Sequence, residues 1–248
     1  MDYSQFTRTQ ILIGEAALNK LQQARVAVIG LGGVGSYAAE ALARAGIGKF
    51  LLIDFDVVNW SNLNRQLLAL HSTVGQPKTQ IMCQRILDIN PEAEVRLETT
   101  FLAQDNRASL LTEVDYVIDA IDSLGPKVGL LQYCIENNLP VISVMGAGNR
   151  LDPSFVKIST LSRSHNCPLA KRVRKFLRRR GVTKDIPVVF SSEPPLKPDL
   201  DEDSEADEII IHRGRQRLTI GSISYMPAIM GMLAASYVIR DFFRDNPE

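Results

Sequence analysis

The chain has few cysteines and no C-x-x-C pair: Cys83, Cys134 and Cys167 lie far apart among 248 residues. That spacing argues against a disulfide framework and against a structural zinc site, and it fits a reducing, cytoplasmic setting. A net charge is missing too, since 28 basic residues face 28 acidic ones. The balance is only an average. Lys171 to Arg180 holds seven basic residues in ten, and Asp199 to Glu208 holds seven acidic residues in ten; these are two opposed patches. Met1 to Gln10 is polar and lacks the apolar core of a secretory leader, so secretion is not expected. Long apolar runs are scarce. The uncharged stretch Leu218 to Ile239 is interrupted by Pro227, which leaves 228–239 as a helix of core length rather than a membrane span.

With 45% hydrophobic and 23% charged residues, the chain has the composition of an ordinary globular protein, long enough for one large α/β domain over residues 1–248. The spacing predicts an N-terminal helix at 10–21, then strands at 25–30, 49–54, 95–100, 115–122 and 140–145. Helices at 34–45, 76–88, 106–112 and 126–137 alternate with them. The strand 115–122 is nearly continuously apolar and ends in acids, as a strand covered on both faces does. After Asn149 the alternation weakens into strands at 155–161 and 187–191, a basic helix at 168–180, and an acidic, proline-rich stretch at 193–208 that reads as a mobile linker. The fold class is therefore α/β: a Rossmann-like, doubly wound, mostly parallel sheet with a C-terminal extension of mixed strands and helices. Right-handed crossovers place the strands' C-terminal ends along one edge, where ligands bind.

Chemistry-bearing residues gather at that edge. Val26-Ala27-Val28-Ile29 runs into Gly30-Leu31-Gly32-Gly33-Val34-Gly35, in which Gly30, Gly32, Gly33 and Gly35 let backbone approach a phosphate at a helix N-terminus. The next strand ends in Asp54-Phe55-Asp56. Asp54 has the spacing of an acid that holds ribose hydroxyls, while Asp56 could equally be solvated. Asn62, Asn64, Arg65 and Gln66 follow within five positions. They form either a plain polar loop or a cationic cluster beside the phosphates, which nucleotidyl transfer needs and hydride transfer does not. Lys78 opens a helix, where a cation opposes the helix dipole unless an anion lies nearby, and a phosphate would serve. Asp122, next to Ser123, suits a magnesium ion beside a triphosphate; Asp119 either shares that role or orients the loop. The basic helix is a solvated face or an RNA-binding one. Cys167, before that helix, could be an activated thiol, whereas His71 and His212 have no sequence partners.

Together Gly30 to Gly35, Asp54-Phe55-Asp56, Asn62 to Gln66, Lys78 and Asp119-Ala120-Ile121-Asp122 resemble the adenylating domain of the E1-like activating enzymes, the ThiF/MoeB/E1 superfamily. His71 to Gly75, Met145 to Asn149 and Cys167-Pro168-Leu169-Ala170 extend the resemblance to its branch that dehydrates N6-threonylcarbamoyladenosine at position 37 of tRNA. The resemblance implies ATP and Mg2+, a carboxyl-adenylate intermediate and a tRNA substrate. It further implies that Gly32 and its neighbours lie against the nucleotide, that Asp54 holds the ribose, that Asn64, Arg65 and Lys78 stabilise phosphate charge, and that Asp122 holds magnesium. Arg8 falls where relatives carry an arginine that reaches the other subunit's phosphates, implying a homodimer; a sulfur-transfer protein is a further possible partner. The alternatives are an adenylyltransferase for a ubiquitin-like sulfur carrier, an NAD-dependent oxidoreductase, and a nucleotide-sensing module without catalysis.

Overall fold

The computed structural model describes residues 5–196 and 220–243. Its elements are α1 (Thr7–Ile13), α2 (Glu15–Gln23), β1 (Arg25–Ile29), α3 (Gly35–Ala45), β2 (Lys49–Ile53), α4 (Lys78–Ile89) and β3 (Glu94–Glu98). They continue with α5 (Arg107–Leu110), β4 (Tyr116–Asp119), α6 (Leu124–Glu136), β5 (Val141–Val144), β6 (Val156–Thr160), α7 (Pro168–Arg179), β7 (Pro187–Ser191) and α8 (Tyr225–Asp241).

One seven-stranded sheet runs in the order β3-β2-β1-β4-β5-β7-β6. Every neighbouring pair is parallel except β6 with β7, which pair antiparallel from Val156↔Ser191 to Thr160↔Pro187. The sheet is thus the doubly wound α/β fold read from the sequence, and the two strands of the expected C-terminal extension, β6 and β7, join the same sheet, with α7 and α8 as its helices. β1 to β3 step outward on one side of β1 and β4 returns on the other, so the order reverses between β1 and β4. A crevice opens at such a reversal, outside the carboxyl ends of the strands.

The central strands are mostly apolar because both sheet faces are covered. Val26, Val28, Phe50 and Leu52 pack with α3, α4 and α8 on one face; Ala27, Ile29, Leu51 and Ile53 pack with α5, α6 and α7 on the other. Where α8 crosses α3 there is no room for a side chain: a Cβ on Gly231 would stand 2.3 Å from Val34 O. Such close approach lets the apolar Met230, Ala234 and Val238 reach the core.

Three expectations are corrected. The helix expected at 10–21 is two helices, because Gly14 takes φ 84° and turns the chain between Ile13 and Glu15. Pro227 does not break the apolar run; it sits in the first turn of α8, where its missing N–H costs nothing, so the helix spans Tyr225–Asp241 and not 228–239. The helix near 106–112 is one turn, Arg107–Leu110. Most of the 193–208 stretch and His212 lie outside the described residues. Among the described residues no helix is long and apolar enough to cross a membrane.

Candidate active site

The glycine turn sits at the β1/β4 reversal and is laced to both neighbouring strands. Gly30 N–H donates to Ile53 O at 2.8 Å, and Ala120 N–H donates to Ile29 O at 2.9 Å. The turn closes so tightly that a Cβ on Gly35 would lie 1.7 Å from Gly30 O; only glycine can start α3 there. Over Gly32 the space is open, with the Gln66 amide 3.8 Å from the place of a Cβ. Leu31 N–H is committed to Asp54, whereas the N–H groups of Gly32, Gly33 and Val34 meet no acceptor among the described residues. Free N–H groups at the start of an eleven-residue helix, beside an open floor, fit an anion.

Asp54 ties this turn to the next loop. Its Oδ2 accepts from Leu31 N–H at 2.6 Å and its Oδ1 from Asp56 N–H at 2.8 Å. Burial pushes the Asp54 carboxyl above its ordinary value, against the pull of Lys78 and of the two backbone donors. Each oxygen keeps a lone pair for a hydroxyl donor. Lys78 Nζ lies 2.8 Å from Asp56 Oδ2, so the anion that this helix-opening lysine requires is Asp56 in the first instance, not a phosphate alone.

The residues 59–66 form a short 3-10 turn and the loop after it. Asn62 is buried and accepts from Asn59 N–H at 3.2 Å, so its side chain shapes the loop. Arg65 is half-buried; its guanidinium donates to Ser61 O at 2.8 Å and to Asn64 Oδ1 at 2.9 Å. Its backbone O lies 3.2 Å from the place of a Cβ on Gly33, which sets this loop directly against the glycine turn. Burial lowers the Arg65 pKa, and the charge of Asp122 opposes that shift. Asn64 donates to Ser222 O at 3.1 Å, and Gln66 Oε1 is buried without a hydrogen-bond partner among the described residues.

Asp122 is exposed on the loop that follows β4, with Ser123 at the N-cap of α6. Asp119 is elsewhere: it is fully buried, 2.7 Å from the Lys127 ammonium. Buried there, it lies away from the crevice mouth, and its Oδ1 accepts from Ile121 N–H at 3.1 Å. Among the described residues no group of three or more His, Cys, Asp or Glu side chains gathers as a metal site. A cation here would rest on Asp122 and on ligands that a nucleotide brings.

Arg8 is not in this cluster. It is exposed on α1, which is anchored at the opposite end of the sheet: Gln5 bonds Asn90, and Phe6 packs beside Gly46. Cys167 is buried as the N-cap of α7, accepting from Ala170 N–H at 3.5 Å, a structural position. α7 lays Val173 and Leu177 on the core and exposes Lys171, Arg172, Lys175, Arg178 and Arg179. Arg174 is not among these, since it donates to Leu161 O and Ser164 O, both at 2.8 Å. Reading the sequence missed Lys127, and also Arg150, a buried arginine after β5 whose Nε has no hydrogen-bond partner among the described residues. Lys127 follows Asp119 by eight residues in an otherwise apolar helix start, and that isolation was the available signal.

The chain is similar to known proteins over nearly its whole length. The chain is 41% identical to the tRNA threonylcarbamoyladenosine dehydratase of Bacillus subtilis over 97% of its own length and 95% of the relative's. It is 38% identical to the enzyme of the same name from Escherichia coli, over 95% and 92%. The crystal structure of E. coli TcdA in complex with ATP superposes with a TM-score of 0.86 at 36% identity, covering 96% of this chain and 93% of that one. The family model for ThiF matches residues 6–247, and the chain belongs to the ThiF family.

Proposed function

We propose that this protein is an ATP-dependent tRNA threonylcarbamoyladenosine dehydratase. The observation that carries the reading is the pair of basic residues on the segments that flank the glycine turn: the Arg65 backbone lies against Gly33, and Lys78, paired with Asp56, acts on the ribose-type acid Asp54. Charge fixed there serves a reaction that builds charge on phosphates. The close likeness to dehydratases over almost the full length supports the choice of substrate.

In this mechanism the carboxylate of the modified adenosine attacks the α-phosphorus of ATP, and the bond to pyrophosphate breaks. An internal nucleophile of the same side chain then attacks the acyl carbon. The C–O bond breaks, and AMP departs with the former carboxylate oxygen, closing a ring with net loss of water. Adenylation thus turns a poor leaving group into a good one, and holding both partners in one crevice supplies the proximity. The Gly32, Gly33 and Val34 amides receive phosphate oxygens, Asp54 accepts from the ribose, Gln66 and Ser123 flank the nucleotide, and Asn64, Arg65 and Lys78 stabilise the transferring phosphoryl group. Asp122 would hold Mg2+, which would neutralise phosphate charge.

The protein acts as a cytoplasmic homodimer in this reading, with Arg8 reaching the nucleotide bound by the other copy. Ile11 and Leu12, 80% and 84% exposed beside Arg8 on α1, support an apolar contact there. The exposed cations of α7 supply an RNA-binding face. A sulfur-transfer partner and the sulfur-carrier adenylyltransferase reading are secondary. The test is mass spectrometry of nucleosides from tRNA incubated with protein and ATP: a dehydrated base is expected, and an unaltered base with AMP release only on adding a carrier protein would favour the second reading.

A further inference from the structure

Asp119 and Lys127 form an ion pair with no exposure at either side chain. Asp119 Oδ2 accepts from Lys127 Nζ at 2.7 Å and from Ser143 Oγ at 2.5 Å, and its Oδ1 accepts from Ile121 N–H at 3.1 Å. Lys127 has a second, longer bond to Asp119 O at 3.5 Å. One carboxylate therefore joins the end of β4, the middle of β5 and the first turn of α6. The segment enclosed by these three anchors is Ala120 to Ser123, the loop that carries Asp122.

Ions this deep are a poor source of stability. Taking both from water costs more than apolar side chains of the same volume would, so what such a pair supplies is a fixed geometry. Here the geometry has a direction. The Ile121 N–H bond holds the backbone one residue before Asp122. On the other side, Ala120 O packs 2.9 Å from the place of a Cβ on Gly30. The cluster therefore fixes the Asp122 loop against the glycine turn from below, and the charge of Asp122 acts on Arg65.

We propose that Asp119, Lys127 and Ser143 are positioning residues for adenylation: they hold the Asp122 loop at the place where phosphate charge must be met. The proposal rests on the dehydratase reading, and wild-type formation of the dehydrated nucleoside tests that reading separately. A displaced carboxylate at such a site costs rate while leaving ground-state binding largely intact.

The decisive variant is the double substitution Asp119→Leu with Lys127→Met, which removes both charges and so leaves no unpaired ion. It should fold with a Tm near wild type. It should bind ATP within about threefold of wild type, yet lose kcat by on the order of 10². Amide hydrogen exchange at Ile121 and Asp122 should rise, while exchange in β1 and β2 stays slow. Ser143→Ala, which keeps the pair and drops one hydrogen bond, should lower kcat roughly three- to tenfold with a smaller rise in loop exchange, and it decides the matter if the double variant does not fold. A folded double variant with wild-type kcat, or Ser143→Ala with wild-type kcat and unchanged Ile121 exchange, overturns the proposal.

Discussion

Lys78 Nζ lies 2.8 Å from Asp56 Oδ2, with the lysine side chain 5% exposed and the aspartate 45%. The pair is lopsided: the cation is fixed in the wall of the crevice, and the carboxylate faces water. Solvent can take over the carboxylate when a phosphate approaches, whereas the ammonium has nowhere else to go. Asp56 supplies the anion that the place of Lys78 at a helix start demands, and on the proposed function a phosphate would supply a second.

Lys78→Ala and Arg65→Ala should each reduce turnover by on the order of 10² or more at saturating ATP, with circular dichroism unchanged. Both side chains are held by the loop around them and support little of the core, so the fold should survive. A variant that turns over at the wild-type rate takes that residue out of the mechanism.

Asp122→Asn removes the carboxylate whose charge acts on Arg65 but keeps its size. The magnesium concentration for half-maximal rate should rise by roughly tenfold, while ATP-independent properties such as Tm stay put. Superimposable magnesium titrations for wild type and variant would end the ligand role.

Replacing Lys175, Arg178 and Arg179 together by Gln should raise the KM for tRNA and flatten its dependence on salt, because every phosphate left without its cation takes about one unit from the slope. Arg174 is left out because it donates to Leu161 O and Ser164 O and its removal would disturb the packing under α7. A salt slope that does not change assigns tRNA binding to another surface.

Glu40 is buried on α3 between Arg44 and Arg85, bonded to them at 2.7 and 2.6 Å. Burial alone would push its carboxyl up, but the two arginines more than offset this, and its pKa lies below the ordinary value. An acid with a depressed folded pKa adds stability above the unfolded-state value of about 4.3 and loses it as pH falls through the folded one. Glu40→Gln should therefore cost about 1–2 kcal/mol at pH 7, with the gap to wild type closing below about pH 4 in urea titrations. A gap that stays constant down to acid pH would refute the assignment.

Much of this was legible because the signals are local. Val26 to Ile29 followed by four glycines specifies strand, turn and helix within ten residues, and the acid at Asp54 follows at fixed spacing. What escaped depends on distant segments meeting. A lysine such as Lys127 looks like a solvated charge until β4 folds beside α6 and brings Asp119 to it. β6 joins the sheet by pairing with a strand some thirty residues later in the chain, which no periodicity encodes. The break at Gly14 and the continuity through Pro227 were misread for a related reason: glycine and proline act according to their place in the helix, and that place is set by packing.

Whether a carboxyl group is activated by adenylation can be decided by following its oxygen. With tRNA whose threonylcarbamoyl carboxylate is labelled with oxygen-18, mass spectrometry of the products should find one labelled oxygen in AMP and none in pyrophosphate. Unlabelled AMP alongside a dehydrated base, or ADP and inorganic phosphate as the products, would rule the adenylate out.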